Sequence, residues 1–164
     1  MSATTKILLV EDDKADAELT LEALAENSLT GRVEVAKDGV DALDYLSRSG
    51  KYAAREPGNP AVVLLDLKMP RVSGLDVLKS IKGNPALKTI PVVVMTSSQQ
   101  DADIEASYNL GANAYVVKPV AYQAFVETIR DVSVFWGLIN QPPPTRSAGE
   151  GSWRSDLKNV YTKE

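Results

Sequence analysis

Lys6-Ile-Leu-Leu-Val-Glu-Asp-Asp13 is the stretch that decides the fold of this chain. Ile7–Val10 is an unbroken apolar run, too short for a helix and apolar on both faces, which is how a parallel strand covered on each side reads. It stops on Glu11, Asp12 and Asp13, so the strand delivers the chain to a polar turn at its carboxyl end. Working outward, similar runs recur at Ala61–Leu65, Pro91–Met95 and Ala114–Val117, and Arg32–Ala36 is a more polar candidate. Apolar residues at helical spacing fill the intervals. Leu19, Ala23 and Leu24 share one face of 13–26, Val40, Leu43 and Leu46 one face of 38–49, and Leu75, Leu78 and Ile81 one face of 72–82. Residues 99–110 follow Ser98, an N-cap type, and stop at Gly111, a C′ type, while 121–139 make the last and longest helical pattern. Strand and helix alternate five times. That alternation predicts a doubly wound α/β fold, a parallel sheet with helices on both faces.

Composition narrows the function. With 164 residues, 44% of them hydrophobic, the chain has material for one packed domain and a short surplus. A net charge of −4 argues against a nucleic-acid-coating surface. The absence of cysteine removes disulfides, thiol nucleophiles and thiolate metal sites. The absence of histidine removes Ser-His-Asp hydrolysis, imidazole zinc sites and a phosphohistidine step on this chain. Any metal must therefore be held by oxygen, which favours Mg²⁺, with Ca²⁺ or Mn²⁺ able to substitute. No apolar run approaches the roughly 18 residues that span a bilayer. The expectation is a cytoplasmic protein with neither membrane nor nucleic acid as partner.

In a doubly wound sheet, ligands bind beyond the carboxyl ends of the strands. Glu11 and Asp12 follow the first strand, Asp66 the third, Thr96 the fourth and Lys118 the fifth. Taken singly, the acids and Thr96 also read as helix caps and Lys118 as a solvated lysine. Together on one edge they read as a phosphoryl-transfer site. Clustered carboxylates repel one another and call for a cation. Lys118 and Thr96 supply a charge and a hydroxyl for phosphoryl oxygens, and an aspartate can serve as nucleophile. Asp66, ending the central strand, is the natural one.

The segments Lys6-Ile-Leu-Leu-Val-Glu-Asp-Asp13, Leu64-Leu-Asp-Leu-Lys-Met-Pro70 with Gly74, Met95-Thr-Ser97 and Tyr115-Val-Val-Lys-Pro119 resemble the receiver domain of two-component response regulators. The resemblance implies a flavodoxin-like sheet of five strands in order 2-1-3-4-5 over residues 5–139. It implies Asp66 as phosphoacceptor and Mg²⁺ held by Glu11, Asp12, Asp66 and the backbone carbonyl of Lys68. Thr96 and Lys118 would contact the phosphoryl oxygens, Tyr115 would be an aromatic switch, and the bond before Pro119 would be cis. The alternative for Tyr115 is a packing residue. Lys68, two positions after the phosphoacceptor, is an uncommon choice that bears on the lifetime of the phosphorylated state. Gly50-Lys-Tyr52, Ser107-Tyr-Asn-Leu-Gly-Ala-Asn113 and Phe135-Trp136 followed by Gln141-Pro-Pro143 are similar to the response regulators of bacterial phytochromes, which implies a light-sensing histidine kinase as partner.

In the last helix Phe125, Ile129, Val132 and Trp136 form a stripe wide enough to cover the sheet. Val134, Phe135, Leu138 and Ile139 make a second apolar face, and with Pro142 and Pro143 they are the candidates for a homodimer contact. Residues 140–164 read as a Pro-rich arm and flexible tail, with Trp153 as a possible anchor, and no second domain to bind DNA is expected. An unidentified downstream protein would read the switch. The competing readings are an interaction module that is never phosphorylated and an aspartyl-phosphate hydrolase. The hydrolase would need a second Asp where Lys68 stands. A nucleotide-binding module would need a Gly-rich turn after a strand.

Overall fold

The computed structural model describes residues 7–26 and 32–144. Five strands, β1 (Ile7–Val10), β2 (Val33–Ala36), β3 (Val62–Leu65), β4 (Val92–Thr96) and β5 (Ala114–Val117), alternate with α1 (Lys14–Ala25), α2 (Gly39–Ser47), α3 (Gly74–Lys82), α4 (Asp101–Asn109) and α5 (Tyr122–Val134). All pairings are parallel and the order is β2-β1-β3-β4-β5, as expected. The anticipated anchoring role of Trp153 and the tail from 145 onward lie outside the described residues.

Alternation along each strand sorts side chains into two cores. Leu8, Val10, Val63, Leu65, Val92 and Val94 face α2 and α3. Ile7, Leu9, Val62, Leu64, Val93 and Met95 face α1 and α5. Strands buried on both faces need apolar residues at every position, which is why β1, β3 and β4 read as continuous runs. The stripes act as anticipated on α1, where Ala23 and Leu24 are buried and Leu19 packs beside them, and on α5, where Phe125 and Ile129 are buried under Val132 and Trp136. On α2 the buried apolar side chains are Ala42, Tyr45 and Leu46, while Val40 is half exposed.

Several ends differ from the sequence reading. Ser98 is not the cap of α4; that position is Gln100, and the Ser98 hydroxyl instead donates to Asp103. Gly111, at φ +101°, does occupy the left-handed position after the helix. The final helix is α-helical only to Val134 and continues as a π-helical turn over Phe135–Ile139, in which Gly137 is buried.

The connection after α2 is more than a surface loop. It makes a 3₁₀ turn at Gly50–Tyr52 and folds back on the helix it leaves. Tyr52 meets the Tyr45 ring edge-on at 5.1 Å, and the Arg55 guanidinium lies 4.2 Å from that ring while its Nε donates to the Tyr45 carbonyl at 2.7 Å. Lys51 pairs with Asp41 at 3.1 Å. Asp41 also accepts from the Lys37 N–H at 3.1 Å, closing the start of α2 against the end of β2.

Burial pushes the Asp41 carboxyl up, but hydrogen bonds from the Lys37 N–H, Lys51 and Tyr52 outweigh it and leave its pKa below 3.8. Asp41→Asn is expected to lower stability by about 1–2 kcal/mol at neutral pH, as read from urea unfolding. A depressed carboxyl contributes stability that is present above 3.8 and lost as pH falls through the lower folded-state value. The gap between wild type and variant should therefore close in acid; a gap that stays constant down to unfolding would refute this account.

Candidate functional site

The ladder of the sheet runs on past the strands and sets the site. The Asp66 N–H donates to the Val10 carbonyl and the Glu11 N–H to the Ala36 carbonyl, both at 3.1 Å, and the Lys118 N–H donates to the Thr96 carbonyl at 2.8 Å. Val10 lies opposite Leu65 in the register, so Glu11 and Asp66 emerge side by side. Alternation then decides direction. One residue beyond Val10 and Leu65, Glu11 and Asp66 fall on the α1/α5 side, as does Lys118, two residues beyond Val116. Thr96, two beyond Val94, and Tyr115 fall on the α2/α3 side. The strand-end residues thus separate into two groups on either side of the sheet edge.

The first group is a cluster of charges around one ammonium. Lys118 Nζ lies 2.6 Å from Glu11 Oε2, 3.1 Å from Asp66 Oδ2 and 3.1 Å from Asp16 Oδ2. The other oxygens of two of these acids are held by backbone. Asp13 N–H donates to Glu11 Oε1 at 3.1 Å and Lys68 N–H to Asp66 Oδ1 at 3.3 Å. Glu11 is buried, Asp66 intermediate and Asp12 exposed. A hollow floored by Leu64, Met95, Phe125 and Ile129 lies beneath, so the ion pairs sit on an apolar base. Burial drives the Glu11 carboxyl up to about 7, against the hydrogen bond and charge of Lys118 and with the Asp66 charge adding to the rise. Burial pulls Lys118 down, yet Glu11, Asp66 and Asp16 outweigh it and hold its pKa above the ordinary lysine value.

Glu11, Asp12 and Asp66 each offer a carboxylate oxygen within 4.8 Å of the others. Hard oxygen donors so close, one of them open to solvent, fit a divalent ion of the Mg²⁺ class that keeps part of its water shell. The arrangement combines an anionic nucleophile candidate, an oxygen cage and a fixed cation. It can receive a phosphoryl group.

The second group is a hydroxyl relay on the opposite side. Thr96 is fully buried, and its Oγ1 accepts weakly from the Ser98 N–H at 3.4 Å. The half-buried Tyr115 donates its hydroxyl to the Ser98 carbonyl at 2.9 Å. The ring of β5 is therefore tied to the loop leaving β4. Burial and the charges of Asp103 and Asp66 push the Tyr115 hydroxyl pKa up, and the Ser98 bond opposes them.

Sequence reading placed Glu11, Asp12, Asp66, Thr96 and Lys118 on one edge, and there they are. It missed Asp16, whose position one helical turn beyond Asp12 was the available signal. One expectation is corrected: no peptide bond in the described residues is cis, and Lys118–Pro119 is trans. Trans is the form favoured by about 0.5–1 kcal/mol before proline. Far from the site, Phe135, Leu138 and Ile139 are largely exposed, Val134 and Pro142 half-buried and Pro143 exposed.

Comparison with known proteins agrees with this geometry. The response regulator receiver domain family matches residues 7–130. The phosphorylated cyanobacterial phytochrome response regulator RcpA has a crystal structure with a TM-score of 0.80 at 39% identity, spanning 87% of this chain and all of that one. Response regulator Rcp1 of Synechocystis sp. (strain ATCC 27184 / PCC 6803 / Kazusa) is 38% identical over 130 residues, 79% of this chain and 87% of that protein. Its Mn²⁺-bound crystal structure gives a TM-score of 0.78 over 84% of this chain and 98% of that one. The bacteriophytochrome response regulator RtBRR is 51% identical, with a TM-score of 0.68 over 96% of this chain and 94% of that one.

Gly74 is the support under Asp66. Its N–H donates to the Leu67 carbonyl at 2.9 Å, and a Cβ there would stand 2.1 Å from the Asp66 carbonyl oxygen and 2.6 Å from Leu67 Cα. Backbone cannot yield as a side-chain tip can. Gly74→Ala is expected to cost about 1–3 kcal/mol in a melting experiment and to shift the Asp66 and Leu67 amide resonances. An unchanged melt with unmoved resonances would show that the loop accommodates the methyl group.

Proposed function

This chain belongs to the response regulator receiver family, and from that premise we propose that Asp66 is its phosphoacceptor, taking a phosphoryl group from a sensor histidine kinase of the phytochrome type. The observation that carries this reading is the Lys118 ammonium bridging Asp66 and Glu11, with Asp12 close enough to complete an oxygen cage. In the transfer, an Asp66 carboxylate oxygen attacks phosphorus as the bond from phosphorus to the kinase histidine nitrogen breaks. The nitrogen keeps the electron pair and an acyl phosphate forms on this chain. Lys118 and Thr96 contact the phosphoryl oxygens. Glu11, Asp12, Asp66 and the Lys68 carbonyl hold Mg²⁺, or Ca²⁺ or Mn²⁺ in its place. Bound there, such an ion supplies neutralisation of the phosphoryl charge. The exposed Lys68 side chain borders the acyl phosphate and bears on its lifetime.

Thr96 drawn toward the new charge pulls on the loop that Tyr115 grips through Ser98, which supports Tyr115 as the switch residue. The surface of α4, β5 and α5 then changes population and a downstream protein reads it. We assign residues 5–139 to the receiver and 140–164 to an arm. The exposed Phe135, Leu138 and Ile139, with Val134, Pro142 and Pro143, support a homodimer contact. No described helix is long and apolar enough to cross a membrane, and a cytoplasmic location is proposed. The chemistry is confined to the chain's own acyl phosphate, its formation and loss.

Intact mass after incubation with acetyl phosphate tests the reading. Wild type should gain one labile phosphoryl group with Mg²⁺ present and none after EDTA, and Asp66→Asn should gain none. A gain that survives Asp66→Asn places the acceptor elsewhere. No gain in the wild type, from acetyl phosphate or from a phytochrome kinase, would leave the chain an interaction module that is never phosphorylated.

A further inference from the structure

An ammonium has three protons to donate, and in Lys118 all three have acceptors: Glu11 at 2.6 Å, Asp66 at 3.1 Å and Asp16 at 3.1 Å. A phosphoryl oxygen on Asp66 needs one of them. The three bonds are not equally easy to give up. Glu11 makes the shortest, and its side chain is 3% exposed, so losing the ammonium would strand a buried carboxylate. Asp66 carries the incoming group itself, which keeps Lys118 close. Asp16 is 37% exposed, and water can take over its half of the pair. Its backbone is meanwhile fixed, because the Asp16 N–H donates to Asp13 Oδ1 at 3.0 Å and its carbonyl accepts the Thr20 hydroxyl at 2.8 Å. The backbone that presents the carboxylate is thus held within α1 by bonds that do not involve Asp66.

Building on the phosphoacceptor reading above, we propose that Asp16 is a positioning residue that competes with the phosphoryl group for the Lys118 ammonium. Before transfer Asp16 holds Lys118 toward α1. After transfer that hydrogen bond passes to a phosphoryl oxygen, and Asp16 turns to water. No proton changes owner; one donor exchanges one acceptor for another. The contest also sets an anionic carboxylate against an anionic ligand across the same ammonium, so Asp16 lowers the affinity of the site for a phosphoryl group and for its mimics.

The test is the affinity of the full chain for beryllofluoride in saturating Mg²⁺, followed by amide resonances, in wild type, Asp16→Asn, Asp16→Ala and Asp16→Glu. Removing the charge should tighten beryllofluoride binding about two- to five-fold, the scale of a part-exposed ion pair. Asp16→Ala should tighten it at least as much as Asp16→Asn, and Asp16→Glu should return toward wild type. A residue with a merely structural role would weaken binding when altered. Unchanged or weaker beryllofluoride binding in both neutral variants, with melting temperatures kept, overturns the role of Asp16 alone. Failure of wild type to take up beryllofluoride overturns the phosphoacceptor reading and this inference with it.

Discussion

The Lys118 ammonium is the joint on which the site rests. It reaches from the end of β5 across β4 to acids that follow β1 and β3, and to a fourth element through Asp16 on α1. Without a cation, Glu11 and Asp66 would face each other as like charges over an apolar floor. With it, Glu11 and Asp66 share a cationic partner that opposes the rise burial imposes on Glu11, whose carboxyl still stands at about 7. The same contact joins the edge strand β5 to the centre of the sheet by a route other than the backbone ladder. A change of charge at Asp66 therefore bears directly on the group that ties β5 to the centre.

The two sides of the sheet edge divide the work. On the α1/α5 side lie the ionic groups, whose couplings are strong and depend on charge. On the other side Thr96, Ser98 and Tyr115 form a chain of neutral hydrogen bonds, individually modest and easily exchanged. A switch needs both: a site that responds steeply to a new charge and a readout that moves at small cost. Gly74 adds a rigid back wall. Its close approach to the Asp66 carbonyl leaves no space there even for a methyl group.

The connection between α2 and β3 shows how a stretch rich in Gly and Pro becomes ordered. Tyr45, Tyr52 and Arg55 stack by edge and cation contacts, and Lys51 ties the turn to Asp41 at the start of the helix. Of these partners only Tyr45 belongs to the apolar face of its helix, and a pattern read by spacing passes over the rest. The end of α5 is similar. A continuous apolar pattern covers 121–139, but the α-helix ends at Val134 and the last turn, Phe135–Ile139, is π-helical.

Taken alone, the sequence determined the strands, the layers, the order of the elements and the identity of the polar residues at one edge. Burial on both faces leaves a strand no choice but to be apolar throughout, and a helix covering a sheet none but a 3.6-residue stripe. Glu11, Asp12, Asp66, Thr96 and Lys118 were legible because each follows such a run directly. Only the tertiary structure decided that they form two groups, because the direction of a side chain past a strand end depends on register and pleat. It alone brought Asp16 to Lys118, since a helix residue meets a residue just past a strand, 102 positions away, only through packing.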